Sequence, residues 1–252
     1  MIKALKVFFE LWPFFDNPLE FPFYSILEKN NQGILLKNTL VSSFDYFIWL
    51  SDEPVDISML RKFSSTSKIV LEYYGTSYEV DAPNFEQQWG EIKPLSCAVV
   101  YERKAARNSV CIPKDYLIRT ADANDIKCLT ECVDSTMRHN YIQQISDLFH
   151  DSNFTVYVLL YKKQPISFMV LNDCKSNRLG CLYKHISNVF TIPAYRNKGM
   201  ASLLIQYVLG LFYKYDFFYV ADSHSNISSN RLACATGFSK IGYNHQLELN
   251  LV

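Results

Sequence analysis

The sequence predicts an α/β (α+β) protein in two consecutive parts, each with strands and helices. Apolar runs typical of strands alternate with helical patterns along the chain, which is the first indication of this class. The second is composition, because 252 residues with 49% apolar and 15% aromatic side chains suffice for sizeable cores. The third is a polar stretch at 106–115 that contains Pro113. We therefore divide the chain into an N-terminal α/β domain, 1–113, and a C-terminal domain, 114–252.

The N-terminal domain has recognisable elements but no chemical motif. Glu10 and Pro13 interrupt the apolar start of the chain and no small-residue cleavage site follows. We therefore expect a buried or amphipathic helix there rather than a signal peptide, with interfacial binding as the alternative. The remaining patterns predict helices at 21–31, 56–63 and 84–92, and strands at 33–40, 46–53, 68–75 and 95–103.

The C-terminal domain begins with a strand at 116–119 and a helix that Asp122 or Asn124 caps and that runs to about residue 137. A hairpin is expected across Lys163–Gln164, because the segments on either side are rich in β-branched and aromatic residues. The other predicted elements are a short helix at 141–149, strands at 186–192 and from 217, helices from 199 and at 228–238, and a closing strand or hairpin at 239–252.

Charge and cysteine content exclude several classes of protein. Residues 1–113 carry 11 Lys and Arg against 14 Asp and Glu, while residues 114–252 carry 14 against 11. This difference in net charge suits an anionic ligand in the C-terminal domain, but the positive charge there is too small to indicate nucleic-acid binding. The seven scattered cysteines include no metal-ligand spacing, which favours buried free thiols and a reducing cytoplasm. No apolar run is long enough for a membrane span.

The stretch 184–201 predicts an anion site. An apolar strand is closed by Pro193, and a basic loop then leads into an amphipathic helix that begins near Gly199. The first N–H groups of a helix lack intrahelical partners and lie at the positive end of its dipole, so they bind phosphate readily. Gly199 allows close approach to the backbone, Arg196 and Lys198 add positive charge, and Ala201 is small.

Two motifs in this order resemble the GNAT superfamily of acyl-CoA-dependent N-acyltransferases. The first is TIPAYRNKGMASLL, which resembles the family's pyrophosphate-binding loop and helix. The second consists of Asn226, Ser229, Leu232, Gly237 and Phe238 at the family's spacing. The resemblance covers roughly the last 140 residues, about the size of one domain. It implies a mixed sheet that splays after its central strand, with the cofactor entering where the sheet opens.

The resemblance also implies a donor, an acceptor and a set of contacts. The donor would be acetyl-CoA as cosubstrate, without a metal, and the acceptor a primary amine of a small molecule or peptide. Catalysis would rest mostly on proximity and on a backbone N–H that polarises the thioester oxygen. The residues implied to bind the cofactor are Phe190 and Thr191 through their backbone, Arg196, the loop and helix start Asn197, Lys198, Gly199, Met200 and Ala201, and Asn226 and Ser229 from the second motif.

Two departures from the family pattern concern proton transfer. Many members place a Glu on the central strand as base, whereas no acidic residue occurs here from Cys174 to Lys214. His185 and His224 are the candidate replacements, and a purely structural role remains an alternative for each. The family often has a tyrosine acid after the leucine of the second motif, where this chain has Ala233. Ser229 and Tyr243 are the alternative acids, or the thiolate leaves unaided, because a thiol pKa near 8.5 makes it a tolerable leaving group.

Three functions remain open on the sequence. The first is N-acetyl transfer to an amine, and the second is transfer with a longer acyl-CoA donor or to an amino-acid acceptor. The third is a non-catalytic module that binds coenzyme A or a protein partner. Some two-part GNAT proteins carry an N-terminal half that is itself a degenerate acyltransferase-like domain, and 1–113 could be such a half. A homodimer is also possible.

Overall fold

The computed structural model describes residues 24–29, 33–39, 43–50, 57–75, 91–131, 154–176, 181–221 and 225–250. In these ranges the N-terminal half forms β1 (Tyr24–Lys29), β2 (Ile34–Asn38), β3 (Asp45–Leu50), α1 (Ile57–Phe63), β4 (Lys68–Gly75) and β5 (Glu91–Arg103). The C-terminal half forms β6 (Tyr116–Thr120), α2 (Ala123–Glu131), β7 (Phe154–Tyr161), β8 (Gln164–Ser176), β9 (Cys181–Thr191), α3 (Met200–Leu211), β10 (Asp216–Ala221), α4 (Ile227–Ala235) and β11 (Ser239–Asn250).

The strands of both halves lie in one mixed sheet. Its order is β1-β2-β3-β4-β11-β5-β10-β9-β8-β7-β6 across eleven strands. The pairs β3–β4 and β9–β10 are parallel, and the other neighbouring pairs are antiparallel. The predicted fold class, a mixed sheet with helices on its faces, is therefore confirmed.

The two halves repeat one topology and exchange their last strands. In the N-terminal half, β1, β2 and β3 pair antiparallel, α1 follows, and β4 pairs parallel with β3. The C-terminal half repeats this pattern with β7, β8, β9, α3 and β10. The last strand of each half then pairs with the other half, β5 with β10 and β11 with β4, and β5 and β11 pair with each other. The hypothesis that 1–113 is a second half of the same kind fits this repeat.

Because of this strand exchange, the predicted boundary at 106–115 does not separate two independent sheets. That stretch connects β5 to β6. β5 precedes the boundary in sequence, yet it lies in the sheet between β10 and β11 of the C-terminal half. The division of the chain at residue 113 remains a prediction, whereas the sheet is continuous across both halves.

A buried polar cluster lies where the halves meet. Glu72 of β4 is 4% exposed, and its Oε1 accepts a hydrogen bond from Asn244 of β11 at 2.6 Å. Its Oε2 accepts one from Tyr46 of β3 and one from Gln246 of β11 at 3.4 Å. The carboxylate is thereby satisfied only when β11 lies in one register against β4, because a shift of one residue would turn these partners to the other face.

Helices cover both faces of the C-terminal half of the sheet. Leu204 and Val208 of α3 pack in the same core as Leu171 of β8. Leu129 of α2 packs in a separate core with Val170. Successive residues of a strand point to opposite faces, so neighbouring Val170 and Leu171 place α2 and α3 on opposite sides.

The prediction of a helix at 21–31 is wrong. Residues Tyr24–Lys29 form β1, an edge strand that pairs with β2. Leu27 packs on the N-terminal core while Ile26 is 55% exposed, which is the period-two alternation of a strand. The other residues of that predicted helix, 21–23 and 30–31, lie outside the described ranges.

Most other predicted elements are confirmed, with two changes. β5 begins at Glu91 rather than at residue 95 and so includes the last two residues of the helix predicted at 84–92, whose other residues lie outside the described ranges. The β7–β8 turn is centred on Lys162 and Lys163, which have φ values of 47° and 69°, one residue earlier than predicted. The closing segment, predicted as a strand or a hairpin, is one strand, β11. The helix predicted at 141–149, the end of the helix expected to reach residue 137 and the first 23 residues lie outside the described ranges.

Candidate functional site

The sheet opens between β9 and β10. Their parallel pairing runs from Tyr183↔Asp216 to Ile186↔Tyr219. Beyond these pairs, β9 continues to Thr191 along β8, while β10 continues to Ala221 along β5. The two strands therefore separate after Ile186, and a gap bounded by 187–191 and 220–221 lies between their carboxyl ends. Ligands of open sheets bind at this kind of opening.

A β-bulge bends β9 at the start of the gap. Ser187 pairs with Val170 and Phe190 with Phe168, so Asn188 and Val189 together oppose Met169. Asn188 has φ of 48°, a conformation that Asn tolerates better than most residues. A bulge bends its strand and increases the local twist, and this bulge begins where the pairing of β9 with β10 ends.

The backbone groups at the end of β9 alternate between β8 and the gap. The Phe190 carbonyl accepts a hydrogen bond from Ser167 Oγ at 2.7 Å, and the Ile192 N–H donates to the Ile166 carbonyl at 3.0 Å. Both residues therefore direct their backbone toward β8. Strand alternation turns the backbone of Thr191 to the gap side, where its carbonyl accepts from Arg196 Nε at 2.9 Å. Of the two strand residues implied to contact the cofactor, Thr191 has the better placed backbone.

The loop from β9 to α3 presents the N-terminus of α3. A short 3-10 turn at Pro193–Tyr195 follows the strand, and Gly199 is the N-cap residue of α3, with φ of 76°. No side chain caps this terminus, and a Cβ added at Gly199 would meet no atom within 4 Å. The first N–H groups of α3, at Met200 and Ala201, thus face open space at the positive end of the helix dipole.

Two cationic side chains flank this terminus. The Arg196 guanidinium lies 5.6 Å from the centre of the Phe190 ring, and Lys198 Nζ lies 5.4 Å from the centre of the Tyr195 ring. Lys198 also donates to the Ala194 carbonyl at 2.9 Å. Within the described ranges neither cation forms an ion pair, so both charges are available to an anion. The loop residues implied by the sequence, including Asn197 with φ of 59°, therefore lie together at one helix end.

The second motif forms the N-terminus of α4. Asn226 caps this helix, because its Oδ1 accepts the Ser229 N–H at 3.1 Å. Ser229 faces the sheet, where its Oγ shares a hydrogen bond of 2.6 Å with the Tyr219 hydroxyl. α3 and α4 contact each other, so both motifs lie on the same face of the sheet. Ala233, where the family often has tyrosine, is fully buried in the core.

His185 lies on β9, one residue before the strands separate. It pairs with Asn172 of β8 and with Phe218 of β10. Its Nε2 is buried, and no described group makes a hydrogen bond to it. Burial lowers the pKa of His185 to about 4, so the imidazole is neutral at pH 7. The residue is near the opening, but its catalytic role remains a prediction.

Tyr243 lies away from the gap. It is on β11, and β5 and β10 separate that strand from β9. Strands are spaced by about 4.8 Å, which puts Tyr243 about 14 Å from β9 across the sheet. Its hydroxyl accepts a hydrogen bond from Lys240 Nζ at 2.9 Å. His224, the other predicted catalytic residue, lies outside the described ranges.

Sequence reasoning missed two residues of this site. Tyr219 is the last residue of β10 that pairs with β9, and Asn188 forms the bulge. Tyr219 lies inside an apolar strand, and the hydroxyl of a buried tyrosine usually forms a hydrogen bond. That requirement was a signal in the sequence that Tyr219 has a polar partner. Nothing in the local sequence indicates the bulge, because it follows from the pairing of β9 with β8.

The described residues form neither a metal-binding cluster nor a membrane-spanning helix. Among the residues that the structure describes, no three His, Cys, Asp or Glu side chains lie together as a metal site requires. Over the same parts of the chain, no helix has the length and apolar character needed to cross a membrane.

Comparison with known proteins identifies similar folds only through structure. No protein-family profile matches the chain, and no curated protein matches it by sequence. A tandem GNAT protein from the clavulanic acid biosynthesis pathway is similar, with a TM-score of 0.56 and 11% identity over 91% of this chain and 84% of that chain. A GCN5-related N-acetyltransferase from Kribbella flavida has a TM-score of 0.52 and 10% identity over 88% of this chain and 89% of its own. A third, from Sphaerobacter thermophilus, has a TM-score of 0.56 and 12% identity over 85% and 76%.

At such identities the likeness concerns the fold. The tandem structure extends over nearly all of this chain, which agrees with the repeated topology of its two halves. The chain is therefore a GNAT-fold protein, with two GNAT-like halves that share one sheet.

Proposed function

We propose that this protein is an N-acetyltransferase that transfers the acetyl group of acetyl-CoA to a primary amine of a small molecule or peptide. The observation that carries the proposal is the gap between β9 and β10, which adjoins the uncapped N-terminus of α3. An extended thioester can lie in such a gap, and a pyrophosphate suits the N–H groups and cations at the helix start.

Different residues would bind different parts of the donor. The N–H groups at the start of α3 would bind the pyrophosphate, with Arg196 and Lys198 adding charge-assisted contacts. The Thr191 backbone would bind the pantetheine through the side of β9 that faces the gap. Asn226 keeps its side-chain N–H₂ group as a donor, because capping of α4 uses its oxygen.

The transfer forms a C–N bond and breaks a C–S bond, so the amine must lose a proton and the departing thiolate must gain one. Acceptor and donor held in one gap would react mainly through proximity. An amine of the lysine type has a pKa of about 10.4, far above the pKa of about 4 of His185. We therefore assign amine deprotonation to water and give His185 the role of a neutral hydrogen-bond acceptor at the opening.

We assign protonation of the thiolate to Tyr219. The tyrosine hydroxyl that many family members have on this helix is missing, because the position is Ala233 on α4. The Tyr219 hydroxyl, from β10, would take its place. Tyr219 is 4% exposed and shares its hydrogen bond with Ser229, so its position is fixed. The proton that it donates would be restored from solvent.

A non-catalytic acyl-CoA-binding module is the second candidate. It is favoured by the absence of any acidic residue on β9 and by Ala233 on α4. It shares the donor site with the first candidate and differs only in turnover. The remaining alternative is transfer from a longer acyl-CoA or to an amino acid. In either case the same fold would bind a different donor or acceptor in the gap.

Calorimetric titration with acetyl-CoA, coenzyme A and a long-chain acyl-CoA tests the donor site. We expect saturable binding of acetyl-CoA that weakens at least tenfold in the double variant Arg196→Gln/Lys198→Gln. The matched control is Lys114→Gln/Lys214→Gln, which removes the same charge at exposed positions away from the gap. Equal binding by both double variants would refute the proposed pyrophosphate site.

Mass spectrometry of the same mixtures with a panel of primary amines tests turnover. Acetylated amine together with free coenzyme A would support the enzyme. Tight acetyl-CoA binding without any product across the panel would favour the binding module. Absence of binding to all three ligands would refute both candidates.

A further inference from the structure

A second concave site lies on the far side of α4 from α3. It is a pocket of about 440 Å³ between α4 and the central strands. Its floor is formed by β5 and β11, which come from different halves of the chain. One wall is a stripe of α4 residues at helical spacing, and the lining residues are Val99, Tyr101, Ile227, Asn230, Arg231, Cys234, Lys240 and Tyr243.

The pocket carries two positive charges and no acidic group. Arg231 and Lys240 are both exposed at its rim. Lys240 Nζ donates to the Tyr243 hydroxyl, and within the described ranges neither cation forms an ion pair. A concave surface with unopposed cations and without carboxylates selects for an anion, and Arg suits carboxylate or phosphate oxygens through its paired N–H groups.

The floor of the pocket is apolar and aromatic with fixed polar tips. Tyr101 is 4% exposed, and its hydroxyl donates to Asn230 Oδ1 at 2.6 Å. Burial, with a further contribution from Cys234, raises the pKa of Tyr101 to about 12, so it remains a neutral phenol. Val99 is 1% exposed beside it. Such a floor suits a ligand with an apolar or aromatic body beneath its charged group.

We infer that this pocket binds a small organic anion, with its carboxylate or phosphate group at Arg231 and Lys240 and its apolar body on Val99, Tyr101 and Tyr243. The site lies beside the donor gap rather than in it, because its floor strands β5 and β11 are on the side of β10 that faces away from β9. It is a composite of the two halves, since β5 supplies one part of the floor and β11 the other. It also accounts for the placement of Tyr243 beside Lys240, far from β9.

The test uses 4-phenylbutanoate as probe, with the neutral 4-phenylbutanamide as its matched control, and the full chain without acyl-CoA. Binding is followed by two-dimensional amide NMR. We expect saturable shifts at α4 and β11 with the carboxylate, and at least tenfold weaker binding of the amide. In Arg231→Gln/Lys240→Gln the affinity for the carboxylate should fall at least tenfold, whereas Lys114→Gln should bind as the unaltered chain does.

A second variant tests the cavity independently of charge. Cys234→Phe adds bulk at an exposed helix position that lines the pocket and leaves both cations in place. Saturable binding should be lost in this variant while its melting temperature stays within a few degrees. Equal affinity for the acid and the amide, unchanged affinity in either pocket variant, or the absence of saturable shifts in the unaltered chain would each overturn the inference.

Discussion

Substitution at Gly199 tests the assignment of the anion site most directly. Gly199 is the N-cap residue of α3 at φ of 76°, and a Cβ placed there would face open space. We compare Gly199→Glu with Gly199→Gln, because the two side chains share size and backbone strain and differ only in charge. The strain of this left-handed conformation should lower the free energy of unfolding by about 1–2 kcal/mol in both variants.

The charge should separate the two variants in binding. Two unit charges 4 Å apart interact by about 1 kcal/mol in bulk water and about 4 kcal/mol near a protein surface. For the exposed end of α3 we take about 2 kcal/mol, which is about a 30-fold weaker affinity of acetyl-CoA for the Glu variant than for the Gln variant. The difference should shrink as salt is raised from about 0.01 M to 1 M, because the Debye length falls from about 30 Å to 3 Å.

Isothermal titration of both variants at low and high salt measures this ratio, and thermal unfolding shows whether they remain equally folded. Equal affinities at low salt, with equal melting temperatures, would show that no phosphate lies at the start of α3. The placement of the donor in the β9–β10 gap would then be wrong.

Three further predictions concern chemistry and stability. Tyr219→Phe should lower kcat at least tenfold with little change in the KM for acetyl-CoA, whereas Ser229→Ala, which removes the same hydrogen bond, should leave most of kcat. Asp45→Asn should lower the free energy of unfolding by about 3 kcal/mol at pH 7, because the buried carboxylate binds Lys37 and the Ser65 N–H, the latter at 2.6 Å. Glu72→Ala should lower the free energy of unfolding by about 2–3 kcal/mol in a single transition, because its partners come from both halves.

The pH dependence of the Asp45 effect has a defined sign. Burial alone would raise the pKa of Asp45, but Lys37 and the hydrogen bonds from Ser65 and Thr66 outweigh it and hold the pKa well below its usual range. A depressed pKa contributes stability above the unfolded value of about 3.9 and loses it as pH falls through the folded value. The difference between the unaltered chain and Asp45→Asn should therefore shrink below about pH 4. A difference that is constant from pH 7 to pH 2 would contradict this account.

Two other results would contradict these predictions. Equal losses of kcat in Tyr219→Phe and Ser229→Ala would mean that the hydrogen bond, rather than the phenol proton, matters. Two separate unfolding transitions in Glu72→Ala, or unchanged stability, would mean that the polar cluster does not couple the halves.

Local sequence predicted the elements whose signals are local. The start of α3 was correctly predicted from Gly199 and the apolar spacing after it, because glycine marks a backbone position that disfavours a Cβ. β7 and β8 were correctly predicted from their β-branched and aromatic content. β1 was wrongly predicted as a helix, because a short apolar run at a sheet edge carries little periodicity, and pairing with β2 decided its structure.

The sequence by itself determined the fold class, the order of the C-terminal elements and the basic loop that ends at Gly199. These features depend on neighbouring residues in the chain, so their pattern can be read locally. Only the tertiary structure decided the strand exchange between the halves, the bulge at Asn188, the partnership of Tyr219 with Ser229 and the pocket that holds Tyr243. Each of these depends on pairing between residues distant in sequence, which register and packing select and which no local pattern encodes.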